Sequence, residues 1–99
     1  AIRDRFRIAA TVGHGPRYLH STGQLHKGGL DNGVFLMITV DDLEDLEIPS
    51  ASYSFGELKM AQAFGDLRAL YRKGQCVARI HVSDDLSQGL EKLWGMIKL

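Results

Sequence analysis

The order of apolar and polar positions along the chain predicts three strands. Residues 3–12 alternate at first and then become small and apolar, which is typical of a first strand. Residues 34–40 (VFLMITV) are apolar on both faces and rich in β-branched side chains, as in a parallel strand buried on both faces. Residues 76–82 (CVARIHV) alternate apolar and polar side chains, which predicts a third strand nearer a sheet edge.

Three helices are predicted to alternate with these strands. Pro16 suits the first position of a helix that runs to about residue 27 and ends at two glycines. Residues 54–57 (SFGE) form a capping box for a helix that ends before Gly74, and residues 83–85 (SDD) precede the last helix. Two apolar stripes are expected in the core: Met60, Phe64, Leu67 and Tyr71, and then Leu86, Leu90, Leu93, Trp94 and Ile97.

The resulting β-α-β-α-β-α order predicts an α/β fold, namely a three-layer α-β-α arrangement around a small parallel sheet. The 99 residues suit a single domain spanning 1–99. Because the chain begins without Met, we expect it to be a fragment of a longer protein.

Composition narrows the choice of partners. Twelve basic and twelve acidic residues give no net charge, which argues against a nucleic-acid or membrane surface. The longest apolar run, residues 34–38, is too short to cross a bilayer. The one cysteine, Cys76, excludes an internal disulfide and favours a reducing cytoplasm, and its place at the start of a strand predicts a buried, inert thiol.

Residues 13–29 carry the densest candidate chemistry, including three of the four histidines. In an open α/β sheet, ligands bind beyond the carboxyl ends of the strands, and this stretch follows the first one. Its glycines and helix N-terminus favour an anion, and the alternative is a plain strand-to-helix turn. Residues equipped to bind an anion are His14, Arg17, Ser21, Thr22 and Lys27.

Single residues allow a structural interpretation as well as a functional one. His20 can move a proton, because imidazole titrates near neutral pH, or it is a hydrogen-bonded helix histidine. His20 and His26 are six residues apart, so a helical histidine pair for a metal is not expected, and we predict no metal. Asp84 and Asp85 suit helix caps better than catalytic acids, and His81 suits a strand surface.

The run GHGPRYLHSTGQLHKGG, residues 13–29, closely resembles the isomerase part of bacterial proteins that fuse transaldolase to glucose-6-phosphate isomerase. Residues 48–70 (IPSASYSFGELKMAQAFGDLRAL) look like the C-terminal end of the same family. The core LHSTGQ, residues 19–24, is also similar to a segment of single-function phosphoglucose isomerases.

The resemblance implies a C-terminal sugar-isomerase (SIS-type) lobe of an enzyme of glycolysis and gluconeogenesis. This family interconverts glucose 6-phosphate and fructose 6-phosphate through an enediol, without a metal or organic cofactor. The matching positions are His20, Ser21, Thr22, Gly23 and Gln24, together with His26 and Lys27 of the fusion type. Gln24 and His26 thereby join the expected binding residues, and His20 becomes the expected catalytic histidine.

The chain departs from the family at the expected proton-transferring glutamate. That position falls at or near Gly28, and Tyr71 or a neighbour replaces a later catalytic histidine. Glu57 is then the one distant candidate base, so the isolated chain is expected to have little or no isomerase activity. The alternatives are a phosphosugar-binding or regulatory module that has lost its base, and a structural fragment without a ligand. In a fragment, exposed apolar faces favour a homodimer.

Overall fold

The computed structural model describes residues 2–17, 26, 28, 32–83 and 85–97 of the chain. Among these residues it is a mixed α/β structure with a two-stranded parallel sheet and three helices. The elements in chain order are α1 (Ile2–Phe6), β1 (Val34–Val40), α2 (Phe55–Arg72), β2 (Cys76–Val82) and α3 (Leu86–Ile97).

The sheet pairs β1 with β2 in parallel, from Val34 opposite Cys76 to Val40 opposite Val82. Parallel strands need a long crossover, and α2 supplies it. At the amino ends, the backbone N–H of Gly33 donates to Oε1 of Gln75 at 3.3 Å. At the carboxyl ends, the N–H of Asp41 donates to the carbonyl of Val82 at 3.3 Å. Contacts across the strands therefore fix the register at both ends of the sheet.

Helix α2 begins and ends where its local sequence predicts. Ser54 Oγ accepts from the N–H of Glu57 at 3.1 Å, and the Glu57 carboxylate accepts from the N–H of Ser54 at 2.8 Å. At the other end Gly74 has φ +80°, a conformation that favours glycine. The N–H groups of Gly74 and Gln75 then donate to the carbonyls of Tyr71 and Leu70, which completes a Schellman motif. The capping box and the glycine stop are both confirmed.

The buried core is small. Its apolar side chains are Leu70 of α2 and Val82, which lies on the strand face that meets α3, and its buried polar residues are Thr39, Asp66 and Gln75. Within the predicted stripe of α2, Met60 and Leu67 are half-buried, whereas Phe64 and Tyr71 are exposed. The α2 stripe prediction is therefore half wrong, because the sheet formed by the described residues is two strands wide and leaves the flanks of the helix uncovered.

Helix α3 meets the sheet at one close contact. Asp85 caps it, since its Oδ1 accepts from the N–H of Ser87 at 2.7 Å, as predicted; Asp84 lies outside the described residues. Gly89 is buried, and a Cβ built there would lie 2.1 Å from Cγ1 of Val82. The predicted burial of Leu86, Leu90, Trp94 and Ile97 is wrong: these side chains are exposed, with Trp94 at 56 %.

Two predictions about strands are wrong. Residues 3–12 do not form a strand: α1 occupies 2–6, Arg7 ends it at φ 53°, and residues 8–12 are exposed outside the sheet. A strand persists when its backbone pairs with a neighbour, and this segment pairs with neither described strand. The predicted β-α-β-α-β-α order is therefore wrong at its first element, which is the helix α1.

Strand β1 is not buried on both faces. Val34, Leu36 and Ile38 are exposed, with Val34 at 82 %, whereas the residues between them are more buried. Helix α2 covers the alternate positions, and the other face is open along most of the strand. Cys76 is also exposed, so its predicted burial is wrong for the same reason. No helix among the described residues has the length and apolarity needed to span a membrane.

Candidate functional site

The carboxyl edge of the sheet gathers polar side chains from both strands. Because β1 and β2 are parallel, their carboxyl ends lie at the same edge, where ligands bind in open α/β sheets. Thr39 and His81 are register partners one residue before the strand ends, and Asp41 follows β1 directly. The edge thus places a hydroxyl, an imidazole and a carboxylate side by side.

These side chains form one hydrogen-bonded chain together with Arg79. The Arg79 Nη1 donates to Thr39 Oγ1 at 2.9 Å, and Thr39 Oγ1 lies 2.9 Å from His81 Nδ1. The other ring nitrogen, His81 Nε2, lies 3.0 Å from Asp41 Oδ1. We call this set of four residues the edge chain.

The edge chain has one preferred direction when the imidazole is neutral. Arg79 carries donors only, so the Thr39 oxygen accepts from it and the hydroxyl hydrogen must point elsewhere. Its two acceptors are His81 Nδ1 at 2.9 Å and the carbonyl of Ile80 at 3.5 Å, and the shorter contact is the better hydrogen bond. His81 then carries its proton on Nε2 and donates it to Asp41. Every donor points from the guanidinium towards the carboxylate.

Burial changes along the edge chain. Thr39 is buried, with 8 % of its surface exposed, whereas the His81 side chain is 31 % exposed and the Asp41 side chain is 63 % exposed. The guanidinium carbon of Arg79 lies 4.9 Å from the centre of the Phe64 ring of α2, a cation–π distance. Arg79 and Asp41 are exposed at the two ends of the edge chain, and Thr39 between them is its buried member.

A second polar cluster lies at the start of α2. Asp45 accepts from Ser54 Oγ at 2.5 Å and from the N–H of Gly56 at 2.8 Å. These hydrogen bonds, that of Ser54 first, hold the pKa of Asp45 below its ordinary value of 3.8. Lys59 forms an ion pair with Asp42 on the same side. An open cleft of about 160 Å³ lies between this loop and the helix, and Leu46 and Phe55 line it as well.

The structure describes four of the nine residues predicted to act on a substrate. His14 and Arg17 are exposed, and His26 is helical, with its ring 4.9 Å from that of Phe35. The Glu57 carboxylate is engaged in the capping box. These four are not brought together with the edge chain by any contact described here. The other five lie outside the described residues: His20, Ser21, Thr22, Gln24 and Lys27.

Sequence reasoning missed the edge chain. His81 is exposed on a strand, as predicted, and Thr39 lies in an apolar run, but the sequence pattern does not show that the two meet; each is the sixth residue of a seven-residue strand. Aligning the two predicted strands in parallel from their first residues would have paired them. The described residues contain no cluster of three or more side chains suited to bind a metal.

No protein-family model matches the sequence, and neither a curated protein nor a solved structure is significantly similar to it. The functional interpretation therefore depends on the sequence motif and on the geometry described above.

Proposed function

We propose that the chain is the C-terminal lobe of a cytoplasmic phosphosugar isomerase. In the full-length protein it would help to interconvert glucose 6-phosphate and fructose 6-phosphate through an enediol. The sequence support is the resemblance of residues 13–29, with His20 as the expected acid–base residue and the flanking polar side chains binding the phosphosugar.

The structural observation that supports this proposal most is the parallel β1–α2–β2 unit with polar side chains at its carboxyl edge. Sites for phosphorylated ligands occur at such edges in α/β folds. Helix α2 packs on the sheet side of Thr39, whereas α3 touches Val82, which belongs to the opposite set of alternating positions. These contacts support a three-layer lobe in the longer protein.

The first test is binding. Fructose 6-phosphate is titrated into the nitrogen-15-labelled 99-residue chain while amide chemical shifts are followed, with unphosphorylated fructose as the control ligand. We expect shifts in residues 13–28 with the phosphorylated sugar only. Arg17→Ala should weaken binding by about tenfold, the loss of one charged hydrogen bond, whereas Arg3→Ala should not, because Arg3 pairs with Asp4. Equal weakening by both variants would contradict the assigned site.

The second test is turnover by the purified chain. We expect little or no conversion of fructose 6-phosphate to glucose 6-phosphate in a coupled spectrophotometric assay. Enediol chemistry needs a base within hydrogen-bond reach of the substrate carbon, and the expected base, Glu57, already accepts from Ser54. Robust turnover by these 99 residues would show that they hold a complete active site.

A phosphosugar-binding module without catalysis is the second candidate. The engagement of Glu57 in the capping box favours it, since that carboxylate is the candidate in this chain for the glutamate that transfers the enediol proton. The two candidates separate in the full-length protein, where the isomerase converts the bound sugar and the module binds it unchanged.

A further inference from the structure

We propose that His81 makes the carboxyl edge of the sheet responsive to pH by inverting the hydrogen bond between Thr39 and His81 within the edge chain. The proposal concerns the edge chain alone and does not depend on isomerase activity. It starts from the observation that both ring nitrogens of His81 already have partners, Thr39 on one side and Asp41 on the other.

Uptake of one proton changes what His81 Nδ1 can do. In the neutral ring this nitrogen accepts the Thr39 hydroxyl hydrogen, as derived above. In the charged ring it carries a hydrogen and can only donate, so Thr39 Oγ1 must become the acceptor. The hydroxyl hydrogen then turns to the carbonyl of Ile80, which at 3.5 Å is a much poorer acceptor. The contact between Thr39 and His81 therefore survives, but its direction is inverted.

The inversion of this contact disfavours the hydrogen bond from Arg79 to Thr39. The Arg79 Nη1 and His81 Nδ1 both lie 2.9 Å from the same Thr39 oxygen, so a charged ring places two cations around one hydroxyl. Their repulsion is partly sheltered from solvent, because Thr39 is buried. On the other side, His81 gains an ion pair with the exposed Asp41 carboxylate. Protonation of His81 thus strengthens its contact with Asp41 and weakens the hydrogen bond from Arg79 to Thr39.

The neighbouring elements define what the charged ring meets. The segment after β1 contributes Asp41, and β2 contributes Arg79. Helix α2 contributes the Phe64 ring, which contacts the Arg79 guanidinium, and its buried carboxyl group is Asp66. Arg79 and Phe64 are both exposed, so the guanidinium can move into solvent when its hydrogen bond to Thr39 is lost. Release of that hydrogen bond would free a positive group at the carboxyl edge of the sheet.

The test follows side-chain nitrogen signals of the 99-residue chain by NMR between pH 8 and pH 5. We expect the neutral His81 ring to be protonated at Nε2, which its two nitrogen-15 shifts distinguish directly. During acidification, the Arg79 side-chain signals should follow the same titration curve as the His81 ring. In His81→Gln this Arg79 response should disappear, whereas in His14→Gln, a control outside the edge chain, it should remain.

Two further variants keep the proposal falsifiable if His81→Gln does not fold. Thr39→Val replaces the hydroxyl with a methyl group, so the Arg79 signals should no longer respond to protonation of His81. Thr39→Ser retains the hydroxyl and should restore the response. A neutral ring protonated at Nδ1, Arg79 signals that ignore the His81 titration, or an Arg79 response that persists in Thr39→Val would each overturn the proposal.

Discussion

At the scale of single residues, Asp45 shows how one exposed carboxylate organises a helix start. It accepts the Ser54 hydroxyl and the Gly56 N–H, while the same Ser54 oxygen accepts from Glu57. Three residues from two segments thus satisfy donors at the N-terminus of α2. A negative charge at this end of a helix is favourable because the backbone dipole is positive there.

We predict that Asp45 stabilises the fold in a pH-dependent manner. Its folded-state pKa lies below the ordinary value of 3.8, so the stabilisation is complete above that pH and is lost as the pH falls through the lowered value. Asp45→Asn should therefore lower the free energy of unfolding at pH 7, and the difference from the parent chain should shrink below pH 3.8. Urea unfolding of the parent chain and the variant, at pH 7 and at a pH below 3.8, measures this difference in the free energy of unfolding.

Three further variants test the loss of a neighbouring charge and the effect of local crowding. Glu44→Gln removes a neighbouring charge and should leave the pH profile unchanged. A Cβ at Gly56 would lie 2.6 Å from Asp45 Oδ2, so Gly56→Ala should displace the carboxylate, whereas Gly65→Ala meets nothing within 4 Å. A pH-independent effect of Asp45→Asn would contradict the assigned cause.

The residues that could be predicted from the sequence are those whose partners lie close along the chain. The capping box of Ser54 and Glu57 spans three residues, and the stop at Gly74 depends on the preceding turn. Thr39 and His81 are 42 residues apart, so their contact appears only once the strand register is known. This is why the capping residues were found from the sequence and the edge chain was not.

At the scale of elements, helix α3 depends on one glycine for its contact with the sheet. Gly89 is buried against Val82, and a side chain there would overlap Cγ1. Gly95, two turns later, has nothing within 4 Å of a built Cβ. The same helix therefore contains a glycine required by packing and one that is not.

We predict opposite effects for alanine at these two glycines. Gly89→Ala should cost about 1–3 kcal/mol through overpacking. Gly95→Ala should be neutral or add up to about 1 kcal/mol, because alanine favours the helix. Chemical denaturation measures the change in the free energy of unfolding for both variants. Val82→Ala should recover part of the Gly89→Ala loss, and strictly additive effects would mean that these residues do not touch.

Element prediction succeeded where the pattern and the local signals agreed. The second and third predicted strands and the helix between them are confirmed. The strand at 34–40 is an apolar run that follows Gly33, the strand at 76–82 alternates and follows the glycine stop, and the helix has a capping box. Residues 3–12 showed alternation at only a few positions and gave a wrong strand. The amphipathic pattern of α3 predicted a helix correctly, but the pattern does not specify which surface covers its apolar side.

At the scale of the whole molecule, the described chain leaves much apolar surface open. The uncovered face of β1 presents Val34, Leu36 and Ile38, and α3 presents Leu90 and Trp94. Helices usually cover both faces of a parallel sheet. Contiguous apolar surfaces of this kind favour association.

We predict that the isolated chain self-associates as its concentration rises. Sedimentation velocity should show a concentration-dependent increase in mass, and Trp94, the single tryptophan, should lose accessibility to iodide in parallel if α3 takes part. Leu36→Lys should weaken association by about tenfold or more through loss of a buried leucine contact. Gln62→Lys adds the same charge at an exposed position of α2 and should not. A monomer at every concentration would contradict the prediction.

The parallel register also has a kinetic consequence. Pairing β1 with β2 joins residues 42 positions apart, whereas the bonds that start α2 join residues three apart. Closing the longer loop costs conformational entropy before any strand contact compensates, so non-local pairing is the slow event in folding. We expect α2 to be partly formed in the transition state and the Val82–Gly89 contact to form after it. Ser54→Ala should then slow folding, whereas Gly89→Ala should mainly accelerate unfolding, and stopped-flow chevron plots distinguish the two.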